Sequence, residues 1–228
     1  MVKDEKQGVG AAMERISNYE ITKKRVQGEF VKYDQEQMIQ KFSLKADENY
    51  LYINFLGHFY RIHRKTGLLE WSEDDFVTCI EGDFNEALTI YDLLCDSKEN
   101  CRASGDYINL LSLSALQSSY KKLGDGLFDG KDQLFDHKET LLSKVCEKLG
   151  GVKAGKGDVA YEIPLFDFVS CRIQFWNSDE DFEAQLQVFM DKNILQFMRY
   201  ETVWYAQSHL MKRLTEEMEY EERNLDRN

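Results

Sequence analysis

The chain has few of the residues and segments that separate domains or anchor a protein. It contains one proline, Pro164, and no proline- or serine-rich linker, internal repeat or low-complexity tract. No run approaches the roughly 18 apolar residues needed to cross a membrane. The first ten residues are polar and lack the apolar centre of a signal peptide. We therefore expect one domain spanning residues 1–228, located in the cytoplasm.

Basic residues are outnumbered by acidic ones. The 228 residues include 29 Lys and Arg against 41 Asp and Glu, which gives a formal charge of −12. Nucleic-acid binding relies on lysine and arginine to neutralise phosphates, and anionic membrane surfaces attract the same residues. The composition therefore predicts neither nucleic acid nor membrane as a partner. A soluble, acidic surface is the simplest meaning of this charge.

Cysteines are few and irregularly spaced. Their number is odd and no C-x-x-C pair occurs, which disfavours both a disulfide framework and a structural zinc site. We expect reduced, largely buried thiols. Cys95 and Cys101 flank a short polar loop, and a functional pair there is an alternative. The cysteines are Cys79, Cys95, Cys101, Cys146 and Cys171.

Two segments approach a known ligand-binding motif without completing it. Residues 150–157 contain the glycines and lysine of a phosphate-binding loop, but Gly157 stands where a Ser or Thr must hold Mg²⁺. A helix precedes and a strand follows this segment, which is the reverse of the required order. Residues 125–136 resemble a calcium loop, but Leu127 replaces an oxygen ligand. We interpret the two segments as a connector and a turn.

Other signatures of chemistry are missing. The histidines His58, His63, His137 and His209 form no H-E-x-x-H or comparable pair. His58 and His63 are separated by an odd offset on one strand, so they should face opposite sides. We expect surface or hydrogen-bonded histidines, and we predict neither a metal site nor a cofactor. The nucleophile motif G-x-S-x-G and the dinucleotide motif G-x-G-x-x-G are also absent.

Apolar residues are plentiful and their spacing predicts an α+β fold. Hydrophobic residues make up 43% of the chain and aromatic residues 13%, enough to build a core. The periods predict antiparallel hairpins with five or six surrounding helices. In chain order we expect an amino-terminal helix (9–26), a β-meander (42–71), a helical middle (83–149), and a hairpin followed by the last helix (157–220).

The helical segments carry recognisable ends and faces. Asp34 should cap a short helix, and Asp83 with Glu86 three residues later fits a capping box. A middle helix should bury a stripe beginning at Leu134 and should end at Gly150. The last helix should bury Val203, Leu210, Leu214 and Met218. His209 lies off that apolar face.

The strongest β signal lies between residues 157 and 191. Val169–Trp176 alternates apolar and polar residues, and a second alternating run begins at Phe182. Turn-forming residues separate the two runs, which predicts an antiparallel hairpin. Pro164 lacks an N–H donor, so a strand start, an edge or a bend is expected there.

This part of the chain resembles a bacterial and archaeal family of unknown function. The matching residues are Gly157 to Tyr161, Pro164-Leu165, Phe175-Trp176, Asp179 to Ala184, Phe189 to Asp191, Glu201, and, earlier, Phe55 to Gly57, Tyr60 to Ile62 and Gly67. The similarity covers roughly Met38 to Leu214. Members occur mostly in anaerobes and some are joined to an iron–sulfur segment, which implies a setting near iron–sulfur or corrinoid proteins. This chain lacks the cysteine-rich segment, and the resemblance implies no catalytic residues.

The carboxylates around the hairpin are the polar cluster that is the strongest candidate for a binding or catalytic site. A loop with several acidic groups could bind a cation, or crowding could raise one pKa. A solvated hairpin tip is the simpler alternative. The candidate site residues are Asp167, Asp179, Glu180, Asp181, Asp191 and Glu201.

These patterns leave several functions open. The first is a non-catalytic accessory module that binds a protein or a small molecule. The second is a hydrolase that uses the carboxylates around the 157–201 hairpin, with or without a metal. A homodimer with a binding site between its subunits is a further alternative. Convergence of the carboxylates in a pocket would favour the hydrolase.

Overall fold

The computed structural model describes residues 17–109 and 131–225, and it has the expected α+β architecture. The described segments contain two antiparallel sheets of five strands each. The helices are α1 (Asn18–Phe30), α2 (Gln35–Phe42), α3 (Phe84–Asp96), α4 (Glu139–Lys148), α5 (Ile194–Phe197) and α6 (Tyr200–Leu225). A short 3₁₀ turn spans Asp132–Leu134.

The first sheet is a meander in which strands follow one another in sequence order. Its strands are β1 (Lys45–Ala46), β2 (Tyr50–Phe55), β3 (His58–His63), β4 (Leu69–Ser72) and β5 (Ile80–Glu81). Strands β2, β3 and β4 confirm the predicted meander, and two short strands extend it. Leu56 and Gly57 form the turn between β2 and β3, with φ angles of 47° and 79°. A positive φ suits glycine but is uncommon for leucine.

The second sheet contains the predicted hairpin at its centre. The strand order is β6 (Tyr107–Asn109), β10 (Gln185–Asp191), β9 (Val169–Trp176), β8 (Val159–Phe166) and β7 (Val152–Lys153). Burial alternates without a break along β9, as period two requires. The β8–β9 register shifts between Pro164 and Phe166, so the proline coincides with a bulge.

Both sheets and α6 contribute to the same hydrophobic core. Leu56 of the β2–β3 turn donates its N–H to the carbonyl of Leu165, at 3.0 Å, and the rings of Phe55 and Phe166 stack at 4.8 Å. Helix α6 packs on α3 and α4. Its predicted apolar stripe is buried at Val203, Leu210, Leu214 and Met218.

Several predicted boundaries were wrong. Helix α1 begins at Asn18, where Ser17 accepts the N–H of Glu20, and it continues past Gly28. Residues 9–16 of the predicted helix lie outside the described residues, as do residues 110–130 of the predicted helical middle (83–149). Helix α4 begins at Glu139 and not near Leu134, since His137 has φ of 55°, which is incompatible with a continuous helix.

The second run of the hairpin also starts later than predicted. Strand β10 begins at Gln185, so Phe182 is 74% exposed and does not lie on its buried face. The carboxylate of Asp179 accepts the N–H groups of Asp181 and Phe182, each at 2.8 Å. This local turn competes with strand pairing, as aspartate side chains commonly do.

Candidate functional site

Polar side chains follow one face of α6 at intervals of four residues, and all are buried. His209, Arg213, Glu217 and Glu221 are 0%, 6%, 6% and 7% exposed. Residues four apart share a helical face, which here turns toward the β2–β3 hairpin and α4. Such burial of charged groups is rare unless they are paired. We call these four residues and their partners the polar seam.

The middle of the seam holds a paired arginine. The guanidinium of Arg213 donates to Glu217 at 2.9 Å, and its Nε reaches the carbonyl of Leu56 at 3.4 Å. Lys148 of α4 donates to the second carboxylate oxygen of Glu217. One turn along, Lys144 of α4 pairs with Glu221 in the same manner. Glu217 therefore compensates one of the two cations that contact it and leaves a positive charge.

A cavity of about 410 Å³ opens above this arginine. Gly57, His58 and Phe59 from the β2–β3 hairpin border it, and Ser72 and Phe76 form another wall. The exposed acidic side chains of Glu73 and Asp75 lie at its edge, and Lys148, Arg213 and Glu217 complete the lining.

His58 is the unusual member of this lining. It is 6% exposed and its ring stacks on Trp71 with centroids 3.8 Å apart. Within residues 17–109 and 131–225, neither ring nitrogen has a hydrogen-bond partner. Burial, followed by the charge of Arg213, lowers the pKa of His58 to about 3. The ring is therefore neutral near pH 7, with two buried polar atoms unsatisfied.

Backbone strain borders the same cavity. Asp75 and Phe76 have consecutive positive φ angles of 54° and 65°, and Leu56 of the adjacent turn has 47°. Such conformations cost about 1–3 kcal/mol each in residues other than glycine and cluster at functional sites. The oxygen of Ser72 accepts the N–H groups of Asp74 and Phe76, which fixes this loop. The strain, the cavity and the unsatisfied histidine lie together.

The other end of the seam contains a cluster around His209. The capping box predicted at α3 is present: Asp83 Oδ1 accepts the Glu86 N–H at 3.0 Å, and Glu86 Oε2 accepts the Asp83 N–H at 2.6 Å. Glu86 Oε1 lies 3.6 Å from His209 Nδ1. Lys212 lies 2.8 Å from Asp83 Oδ2 and 3.9 Å from Glu86 Oε1.

Burial dominates the electrostatics of this cluster. It lowers the pKa of His209 to about 3 and raises the pKa of Glu86, with the charge of Asp83 adding to the latter. One ligand atom from each of Asp83, Glu86 and His209 lies within 4.8 Å of the others, so these three residues could hold a metal ion. The sequence predicted the capping box but not its contact with a histidine 123 positions later.

The carboxylates predicted as site residues are divided between two ends of the second sheet, except Glu201, which lies in α6. Asp167 is exposed in the β8–β9 turn and accepts the side-chain amide of Asn54 at 3.1 Å. Asp191 lies at that same end, since Met190 pairs with Cys171. Asp179, Glu180 and Asp181 lie beyond Trp176, at the opposite end of β9. Glu201 is exposed in the first turn of α6.

Asp191 has a structural environment. It is 1% exposed, and its carboxylate accepts the N–H groups of Ser104, Gly105 and Asn193 and the hydroxyl of Ser104, at 2.8–3.1 Å. These donors occupy the oxygens that a substrate or ion would need. Asp179, by contrast, borders a cleft of about 720 Å³ together with Trp176 and Phe182. A role for the acidic loop stays a prediction.

The cysteines are free thiols. Cys95 and Cys101 line one cavity of about 590 Å³ between α2 and the end of α3. Burial raises the pKa of Cys95 to about 12, which suppresses thiolate reactivity. A functional pair there stays a prediction.

The polar seam falls mostly within a region shared with other proteins. Residues 34–213 match a family described as "Domain of unknown function (DUF3786)". The chain belongs to this family. The matched region includes His58, Asp83, Glu86, His209 and Arg213, whereas Glu217 and Glu221 lie beyond it. No curated protein and no solved structure is similar enough to the chain to count as a match.

The helices in the described part of the chain are also informative about membranes. None is both long and apolar enough to cross a bilayer. The longest of them, α6, carries the charged residues of the polar seam along one face, as expected for a helix that does not cross a bilayer.

Proposed function

We propose that this protein is a non-catalytic binding module whose cavity at His58 takes a small molecule with one acidic group. The observation that carries the proposal is a buried, neutral histidine whose two ring nitrogens have no partner among the described residues, in the lining of a cavity that also contains Arg213, Lys148 and Glu217. The volume of about 410 Å³ lies within the usual range for small-molecule sites.

The charge distribution supports the choice of ligand. After burial, the largest influences that lower the pKa of His58 come from basic residues: Arg213 first, then His209, Lys212 and Lys148. Glu217 neutralises one cation, and the remaining positive charge favours a carboxylate or phosphate monoester near Arg213 and Lys148. Glu73 and Asp75 at the edge oppose a molecule with many negative charges. A compound of amino-acid size, acidic at one end, suits this arrangement.

The test uses two lysines with matched geometry. Lys148 and Lys144 both lie on α4 and both pair with a buried glutamate of α6, but only Lys148 lines the cavity. Amino acids, short carboxylic acids and phosphate monoesters would be titrated while tryptophan fluorescence is followed, because Trp71 stacks on His58. Lys148→Gln should weaken binding about tenfold, the effect of one charge-assisted contact. Lys144→Gln should leave it unchanged.

Two results would contradict the proposal. One is a compound panel that changes neither the fluorescence nor the melting temperature of the wild-type protein. The other is equal weakening by the two lysine variants, which would indicate a general electrostatic effect and not a contact in the cavity.

The alternative of a hydrolase acting through the carboxylates around residues 157–201 has less support. Those side chains are divided between two ends of the second sheet and the first turn of α6, and Asp191 is already saturated with donors. A single domain, a cytoplasmic location, a homodimer and a setting near iron–sulfur proteins also stay predictions.

A further inference from the structure

The cluster formed by Asp83, Glu86 and His209 has the donors and the spacing of a metal centre. We propose that it binds one divalent transition-metal ion, with Zn²⁺ as the preferred member of the class. This centre is separate from the His58 cavity and does not depend on the ligand proposed there. Nitrogen and carboxylate oxygen together suit Zn²⁺, Co²⁺, Fe²⁺ or Mn²⁺, and Zn²⁺ binds such sets most tightly of these four.

The first step of the argument is the orientation of the carboxylates. Each uses one oxygen to cap α3: Asp83 Oδ1 accepts the Glu86 N–H, and Glu86 Oε2 accepts the Asp83 N–H. The second oxygen of each residue is therefore held in a defined position, without a further side chain being needed to orient it. Both second oxygens approach Lys212, at 2.8 and 3.9 Å.

The second step is the histidine. His209 is fully buried, and its Nδ1 has no hydrogen-bond partner among the described residues although it lies 3.6 Å from Glu86 Oε1. That distance is too long for a hydrogen bond. Two ligand atoms in tetrahedral coordination, each about 2.0–2.2 Å from the ion, lie about 3.3–3.6 Å apart, so 3.6 Å suits a shared ion. The remaining distances are at most 4.8 Å, so ion binding must draw those side chains together by up to about 1.3 Å.

The third step is the group behind the histidine. The Tyr60 hydroxyl lies 3.4 Å from His209 Nε2. When Nε2–H donates to the Tyr60 oxygen, Nδ1 presents its lone pair toward the carboxylates. Metal-bound histidines are commonly oriented by such a contact at their second nitrogen. The ring of Phe55 stacks on His209 at 4.8 Å and restricts its rotation further.

An ion can reach the cluster from one side. Asp83 is the half-exposed member, and it lines an open cleft of about 500 Å³ together with Tyr19, Phe84, Tyr205 and Ser208. Lys212 is 41% exposed, so its ammonium can leave the carboxylates for solvent when an ion takes its place. Lys212 therefore competes with the ion for the carboxylates of Asp83 and Glu86.

The experiment is a titration of the full chain, stripped of metal by a chelator, with Zn²⁺ and Co²⁺. We expect binding of one equivalent that depends on His209, measured by calorimetry for Zn²⁺. Bound Co²⁺ should show visible absorption without a thiolate charge-transfer band, which separates this centre from binding to cysteines. His209→Gln should weaken binding at least about tenfold, because a ligand of the ion is removed.

Two further variants keep the test informative if the buried substitution disturbs folding. Asp83→Asn preserves an effective helix cap and should still weaken binding. Lys212→Gln should tighten binding up to about fivefold, the strength of a partly exposed ion pair. His63→Gln is the control and should leave binding unchanged. Absence of His209-dependent binding, or unchanged affinity in Asp83→Asn, would show that the cluster is only an ion-pair network closed by Lys212.

Discussion

The first sheet with α6 differs from the second sheet in how deeply it buries its polar groups. Around β2 and β3, His58 and His209 are buried with nitrogens that lack partners in the part of the chain that the structure describes, and the pair of Arg213 and Glu217 is 7% and 8% exposed. In the second sheet, Asp191 is saturated by donors, and the pair of Arg172 and Glu162 is 27% and 31% exposed. One buried atom of that pair, Arg172 Nε, also lacks a partner among the described residues. Buried polar atoms without hydrogen-bond partners lower stability. We therefore expect the polar groups of the first region to be retained because they serve a function.

The largest effect is expected from substitution of Asp191. Asp191→Ala would leave three backbone N–H groups without their acceptor, so we expect the free energy of unfolding to fall by about 3 kcal/mol or more. Urea denaturation measures the change. Asp167→Ala is the control, since Asp167 is exposed, and should cost less than about 0.5 kcal/mol. Similar losses for both aspartates would contradict a structural role for Asp191.

The next comparison uses the two ion pairs. Glu217→Ala leaves Arg213 buried beside Lys148 without an anion, and we expect a loss of about 3 kcal/mol in the free energy of unfolding. Glu162→Ala opens a pair that water reaches, and should cost less than about 1 kcal/mol. The same urea experiment tests both. Equal values would mean that the seam is as hydrated as the second sheet.

The histidine of the cavity should make stability depend on pH. Unfolded His58 takes up a proton near pH 6.5, whereas burial holds the folded pKa at about 3. The stabilisation is therefore complete above about pH 6.5 and is lost as pH falls toward 3. Between pH 7 and pH 5 the loss due to His58 should be about 2 kcal/mol.

The variant His58→Gln tests this assignment. It should reduce the difference in unfolding free energy between pH 7 and pH 5 by about that amount, while His137→Gln, at an exposed position, should not change it. A wild-type difference that persists unchanged in His58→Gln would assign the acid sensitivity to other groups.

The smallest expected effect tests where strand β10 of the second sheet begins. The second alternating run was predicted to begin at Phe182, but β10 begins at Gln185 and Phe182 is 74% exposed. Phe182→Ser should therefore change the free energy of unfolding by less than about 0.5 kcal/mol. Leu186→Ala, at a buried position of β10, should cost about 2–5 kcal/mol. A loss of more than about 1 kcal/mol in the free energy of unfolding for Phe182→Ser would indicate that the strand begins at Phe182, as predicted from the sequence.

Local patterns in the sequence determined much of the fold. The alternation of Val169–Trp176, the caps at Asp34 and Asp83, and the apolar stripe of α6 depend on neighbours within a few residues. Those interactions are readable because strand and helix periods repeat along the chain. The boundaries at His137 and Phe182 were missed, since one unusual φ angle or one aspartate turn overrides hydrophobic periodicity there.

Only the tertiary structure decided where the polar groups meet. The spacing of His209, Arg213, Glu217 and Glu221 was visible in the sequence, but it is also the spacing of an ordinary solvated helix face. It becomes a buried seam because α4 and the β2–β3 hairpin cover that side of α6. Contacts such as Glu86 with His209 join residues far apart in sequence, and periodicity within one element carries no information about its neighbours.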